Sequence, residues 1–148
     1  MILAPFIPKK KFFILNTTNS LPLGIYYITT NPPTLDSIVA FNKPESLNIL
    51  DRNWLVKGSL FLKKITAVPG DFVCTNNNQL KINGKFRGEI YKVDRNGIAL
   101  PQIGFCRKLT SGEYWTGTDH RRSFDSRYYG PLRTQDISLK TVKPLWVM

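Results

Sequence analysis

The chain has 148 residues, 42% apolar and 12% aromatic, and its 21 Lys and Arg against 10 Asp and Glu give a formal charge of +11. A chain of this size buries roughly two thirds of its unfolded surface, so one domain stands without staples, and the aromatic and β-branched content excludes wholesale disorder. One histidine and two cysteines leave only Cys74, Cys106 and His120 toward a zinc site that wants four ligands, and any Ser-His-Asp triad must use His120.

From the N-terminus, residues 1–15 read as a lead-in and 16–148 as a single β-rich body. Ile2–Ile7 is too short for a secretory signal, is broken by Pro5, and is followed by Lys9-Lys10-Lys11 instead of being preceded by them. The longest apolar runs, such as Phe12–Leu15, fall far short of the roughly 20 residues of a membrane span. Phe12–Leu15, Gly24–Ile28, Ser37–Phe41 and Leu60–Val68 predict strands, being β-branched and aromatic between Asn, Pro, Gly and Ser clusters. A helix is expected from Pro44 to about Arg52, with proline at its first position, Glu45 in its first turn, and Leu47, Leu50 and Trp54 at helical spacing. Gln79–Ile82 and Lys85–Ile90 flank Asn83-Gly84, the pair that supplies the positive φ values of a tight hairpin turn. Tyr91–Val93, Glu113–Gly117 and Ser138–Val142 are further strand candidates. The expected fold is mostly β, a folded-over or barrel-like sheet body with one short helix. Cys74 and Cys106 admit two readings, free buried thiols or a disulfide suited to an oxidising compartment.

Three segments carry candidate chemistry. In Asn16–Tyr26 a strand enters a polar turn bent by Pro22 and Gly24, which presents the Ser20 hydroxyl in a fixed direction, although ordinary Ser/Thr/Asn turns look the same. In Ser59–Asp71 two lysines interrupt an apolar strand. Alternation sets Phe61, Lys63 and Ile65 on one face and Leu62, Lys64 and Thr66 on the other, so burial of either face buries a lysine. A buried ammonium loses pKa and becomes available as a neutral base, whereas on an edge strand the same lysines would only snorkel. Gly117–Pro131 is a loop dense in hydrogen-bonding groups, in which Asp125 and Arg127 can pair and Ser123 can orient a base. Together they spell a serine–lysine dyad with supporting groups.

The order and wording of these segments resemble the signal peptidase superfamily, in particular the TraF-type signal peptidases of conjugative transfer systems. Ser20-Leu21-Pro22-Leu23-Gly24-Ile25-Tyr26 is similar to the family's serine box, Ser-x-Pro-x-Gly-x-Tyr. Lys63-Lys64 followed by Pro69-Gly70-Asp71 is similar to its lysine box, and Ser123-Phe124-Asp125-Ser126-Arg127-Tyr128-Tyr129-Gly130 to its terminal box. Thr118-Asp119-His120 departs from the Asp-Asn usual in that last box. The resemblance implies a coiled β-sheet body, Ser20 as nucleophile and Lys63 as general base, with Lys64 its basic neighbour. It implies that Thr18 and the Ser20 N–H form the oxyanion site, that Ser123 orients the lysine, and that Asp125 and Arg127 pair behind it.

The activity so implied is endopeptidase cleavage of a pilin precursor or another secreted protein of a transfer apparatus. Leu21, Leu60, Phe61 and Leu62 are expected to line a pocket for small side chains, with the substrate added as a strand beside Leu60–Lys63. No cofactor, metal or nucleic acid is expected. The implied location is the periplasmic face of the bacterial inner membrane, the family's anchor lying outside these residues, with anionic lipid as the partner of the basic surface. Two other readings compete. One is a self-cleaving repressor-type protease, for which no helix-turn-helix is legible. The other is a non-enzymatic basic barrel that stacks single-stranded nucleic acid on Tyr26, Tyr27, Tyr128 and Tyr129.

Overall fold

The computed structural model describes residues 13–18, 20–42 and 60–148. Its strands are β1 (Phe13–Asn16), β2 (Gly24–Ile28), β3 (Ile38–Asn42), β4 (Leu60–Ala67), β5 (Phe72–Asn76), β6 (Gln79–Ile82), β7 (Lys85–Glu89), β8 (Cys106–Lys108), β9 (Glu113–Gly117), β10 (Leu132–Arg133) and β11 (Lys140–Val147). A single-turn helix, α1 (Ser126–Tyr129), completes the described elements. The fold is mostly β, as expected. The helix expected at Pro44–Arg52 lies outside the described residues.

A seven-stranded sheet runs β1-β2-β11-β3-β4-β9-β10, and a four-stranded sheet runs β7-β6-β5-β8. All the pairings are antiparallel. The chain passes between the sheets at Pro69-Gly70-Asp71, where Asp71 Oδ2 accepts from the Val68 N–H and the Gly70 N–H reaches the Leu109 carbonyl. The main core fills the space between the sheets with Ala67, Val73, Leu80, Ile82, Leu109, Trp115, Phe124 and Tyr128. In the middle of the large sheet Val39, Ala40 and Phe41 are all buried, so both faces of β3 are covered. Such strands read as continuous apolar runs and not as alternation.

Two features set up the site. β4 has eight residues, but β9 pairs with it only from Lys64 onward, which leaves the β9-side edge of Leu60–Lys63 open among the described residues. Across the other edge of β4, Lys63 lies opposite Val39, which has no exposed surface. That position draws the Lys63 stem into the core.

Tyr91–Val93 is not a strand. The Tyr91 N–H goes to the Tyr128 hydroxyl and its carbonyl to Gln102, so side chains take the groups a neighbouring strand would use, and Val93 keeps only an isolated bridge to Ala99. The Asn83-Gly84 hairpin forms as expected, with φ of 52° and 81°. Cys74 and Cys106 face each other across β5 and β8 and form a disulfide.

Candidate active site

Three chain segments converge on Lys63. The first is the turn between β1 and β2. Asn16, the buried last residue of β1, donates from Nδ2 to the carbonyls of Thr18, Leu21 and Pro22 and accepts at Oδ1 from the Thr18 N–H. From the far side the Tyr26 hydroxyl donates to the Pro22 carbonyl at 2.7 Å. One asparagine thus supplies the hydrogen bonds that this polar loop lacks internally, and Ser20 is held half-buried over β4.

The second segment is β4 itself. Lys63 is 7% exposed, whereas the Lys64 side chain is 38% exposed and reaches Asp36 at 3.6 Å. Lys63 Nζ lies 2.8 Å from Ser123 Oγ and 3.4 Å from Ser20 Oγ. Burial lowers the Lys63 pKa from its ordinary 10.5 to about 8; the charge of Asp125 pulls it back up and that of Arg127 pushes it down. Among the described residues no carboxylate pairs with Lys63 directly, and desolvation dominates.

The third segment is the loop into α1. Asp125 caps the helix, its Oδ1 accepting from the Arg127 N–H, and it holds the Arg127 guanidinium at 2.9 and 3.1 Å. Both side chains are buried. Arg127 also donates to the carbonyls of Ser123 at 2.8 Å and Glu89 at 2.6 Å. The ion pair therefore fixes the backbone that carries Ser123 and ties it to the end of β7. Ser123 Oγ closes a triangle with Ser20 Oγ at 3.3 Å. A neutral amine in this triangle has one N–H for Ser123 and a lone pair for the Ser20 proton, the arrangement a serine nucleophile and its base require.

The surrounding cleft has a volume of about 870 Å³. Leu60, Phe61 and Leu62 line it with Ser20, Lys63, Thr18 and Ser123. Leu21 does not. It packs against the cluster of Tyr26, Ala40, Leu62 and Val142. The Thr18 hydroxyl borders the cleft but donates to Asn16 Oδ1 at 3.0 Å, so it turns toward an oxyanion only by leaving that bond. His120 lies on the rim, its Nδ1 accepting from the Arg122 N–H.

The residues missed from sequence are Asn16, Phe13, Leu15 and Tyr91. A buried asparagine closing a strand ahead of a turn was the one available signal among them. The stacking surface of the nucleic-acid reading is absent in large part: Tyr26 and Tyr128 are core residues, and Tyr129 donates or accepts at Thr116 Oγ1 at 2.6 Å beneath the sheet.

The chain is similar to known proteins. Two Escherichia coli chains named plasmid transfer protein TraF are 25% identical over 150 residues (88% of this chain, 81% of theirs) and 27% identical over 148 (86% and 78%). A probable signal peptidase I-1 of Synechocystis is 29% identical over 108 residues, covering 72% of this chain and 52% of that one. A solved signal peptidase I from Enterococcus faecalis overlays 74% of this chain and 97% of its own at 23% identity, with a TM-score of 0.43. The family described as signal peptidase, peptidase S26, matches residues 4–146. On that near-complete match the chain belongs to the S26 signal peptidase family, the serine peptidases of signal-peptidase type.

Proposed function

We propose that the chain hydrolyses a peptide bond in a secreted precursor through Ser20 and Lys63. The observation that carries this reading is the buried Lys63 Nζ between Ser20 Oγ and Ser123 Oγ. Neutral Lys63 takes the Ser20 proton as Oγ attacks the scissile carbonyl. The carbonyl oxygen gains the charge and is held by the Ser20 N–H and, after rotation away from Asn16, the Thr18 hydroxyl. The lysine returns its proton to the leaving amine, which departs as the acyl-enzyme forms. A water, deprotonated by the same lysine, then attacks the acyl carbonyl, and the acid is released as the bond to Ser20 Oγ breaks and Oγ takes the proton back from the lysine. Ser123 aims Nζ through both steps, and Asp125 with Arg127 holds Ser123.

The substrate lies extended against Leu60–Lys63, whose open edge offers main-chain hydrogen bonds, with small side chains toward Phe61 and Leu62. Likeness to the plasmid transfer proteins favours a pilin precursor or another secreted protein of a conjugative apparatus as substrate. That likeness also favours work at the periplasmic face of the inner membrane, with anionic lipid beside the basic surface. Among the described residues no helix is long and apolar enough to cross a membrane.

The test is cleavage of an extended peptide with alanine at the acyl position. Ser20→Ala and Lys63→Ala abolish turnover, Lys64→Ala keeps a good part of it, and His120→Ala leaves it nearly unchanged. Loss in Lys64→Ala with activity retained in Lys63→Ala would reverse the assignment, and a large loss in His120→Ala would replace the dyad with a histidine mechanism.

A further inference from the structure

The Cys74–Cys106 disulfide lies on the outer face of the four-stranded sheet. Val73, Leu80 and Ile82 of β5 and β6 turn to the core. Alternation along β5 then turns Phe72 and Cys74 to the opposite side. Residues facing each other across antiparallel strands share a side, so the register extends this outer face over all four strands. Cys74 lies opposite Cys106 of β8 and Lys81 of β6, and Lys81 lies opposite Phe86 of β7. Lys108 joins the same face opposite Phe72. Phe86 and Phe72 are 56% and 42% exposed; Lys81, Lys108 and Cys106 are exposed, and Cys74 is half-buried. The bond is thus within reach of solvent, beside two lysines and two uncovered aromatic rings, whereas a staple inside the core is shielded from thiols.

The same bond anchors one wall of the cleft. Tyr91, Asn96 and Leu100 line the cleft from the segment that joins β7 to β8. That segment folds on itself, the Asp94 N–H reaching the Ile98 carbonyl at 2.8 Å and the Leu100 N–H the Lys92 carbonyl at 2.9 Å. Its start is held where the Tyr91 N–H donates to the Tyr128 hydroxyl. Its end runs into β8, an edge strand of three residues whose partner is β5. So short an edge strand holds few hydrogen bonds, and the covalent link to Cys74 secures it.

From this placement we infer that Cys74–Cys106 is a thiol-exchange site, that the outer face of the four-stranded sheet docks a protein dithiol, and that opening the bond loosens the cleft wall and weakens substrate binding. Only the last step rests on the peptidase reading. The more exposed sulfur sets the direction. A thiolate of the partner attacks Cys106 Sγ, a mixed disulfide forms, and the Cys74–Cys106 bond breaks with its electron pair leaving on Cys74. Lys81, directly opposite Cys74, stabilises that leaving thiolate. The partner's second thiol, deprotonated, then attacks the partner's own sulfur in the mixed disulfide, and Cys106 leaves as a thiolate. The partner is oxidised to a disulfide, this chain is reduced by the two electrons, and each released thiolate takes a proton from water. Phe72 and Phe86 offer the partner an apolar contact that a small thiol does not use.

The test uses the oxidised full chain, with reduced thioredoxin as the protein dithiol and glutathione as the small thiol. Thioredoxin with serine in place of its second cysteine is expected to trap a mixed disulfide that mass spectrometry maps to Cys106. With intact thioredoxin or glutathione, Lys81→Glu is expected to slow opening by about threefold or more, because the leaving thiolate loses its cation. Phe72→Ser combined with Phe86→Ser is expected to slow thioredoxin alone; these side chains are exposed, so the replacements spare the core. Reduction seen only after the chain is unfolded in denaturant overturns the exchange site. An adduct on Cys74 overturns the assigned direction, and an unchanged thioredoxin rate in the double phenylalanine variant overturns the docking face. Binding of an extended peptide is read by anisotropy on the chain carrying Ser20→Ala. It is expected to weaken by about threefold or more on reduction, and likewise when Cys74→Ser and Cys106→Ser are combined, with the sheets intact by circular dichroism. Unchanged binding in both overturns the link to the cleft. No readout needs turnover, so an inactive native chain that still forms the Cys106 adduct overturns the dyad and leaves the exchange site standing.

Discussion

Lys63 is where sequence, burial and chemistry meet most directly. Its folded pKa of about 8 lies below the ordinary 10.5, so the neutral base is the minority form at pH 7 and dominates above pH 8. The rate of acylation should therefore rise with pH through about 8 and level off above it. A profile rising only near 10.4 would mean that the lysine is not buried when it works. The same shift bears on stability. Between pH 8 and 10.5 the unfolded chain holds one proton more than the folded chain, so stability rises with pH across that window and the burden is fully present below it. At 1.36 kcal/mol per pKa unit the burden is about 3 kcal/mol. Lys63→Met should consequently melt higher than the native chain at pH 7, with the gap closing toward pH 10.5, while being inactive. A gap that does not change with pH would sink this account. Alternation along β4 made one lysine of the pair buried, and the family resemblance chose Lys63, which stands six residues before Pro69. Its partner Ser123 was legible only as a candidate in the terminal loop, because the contact spans 60 positions and the fold has to bring the two together.

At the level of elements, the strands that sequence revealed are those with apolar or alternating runs and strong turn signals. β2, β6 and β9 match their expected limits, and β3, β4 and β7 differ only at their ends. β5, β8 and β10 escaped because their order comes from partners and not from composition. β8 is Cys-Arg-Lys, held by β5 and the disulfide, and β10 is two residues long. α1 is a single turn, too short for any periodicity, and exists because Asp125 caps it and Gly130, at φ 79°, ends it. The β1–β2 turn shows the same dependence on remote groups. Its shape rests on Asn16 and on Gly24, where a Cβ would run into the Trp146 carbonyl of β11. Asn16→Ala removes the donor to three carbonyls in a part-buried loop, a loss of roughly 1–3 kcal/mol if water does not replace it. The expected outcome is a fall in kcat of tenfold or more with the sheet core intact by circular dichroism. Unchanged kcat would show that Tyr26 alone secures the Ser20 turn.

For the molecule as a whole, the +11 charge goes with a group of exposed apolar residues. Phe13 and Leu15 are 60% and 68% exposed and line the cleft, while Trp146 and Met148 are 59% and 76% exposed at the end of β11. Leu15 and Trp146 both lie opposite Ile25, so β1, β2 and β11 carry them in one cross-strand row on the same face. Exposed apolar residues grouped this way, with a tryptophan and flanking cations such as Lys143, suit the boundary of a bilayer, where a membrane-tethered substrate would meet the cleft. Charge and apolar contact make different predictions. Sedimentation with vesicles should be stronger for anionic than for neutral lipid, and added salt should remove the difference. Trp146→Ser should weaken binding to both compositions by a similar factor, because it removes contact and leaves the charge unchanged. Equal weak sedimentation with anionic and neutral vesicles, unaffected by Trp146→Ser, would leave the basic surface without a lipid role and return the question of its partner to the protein substrate.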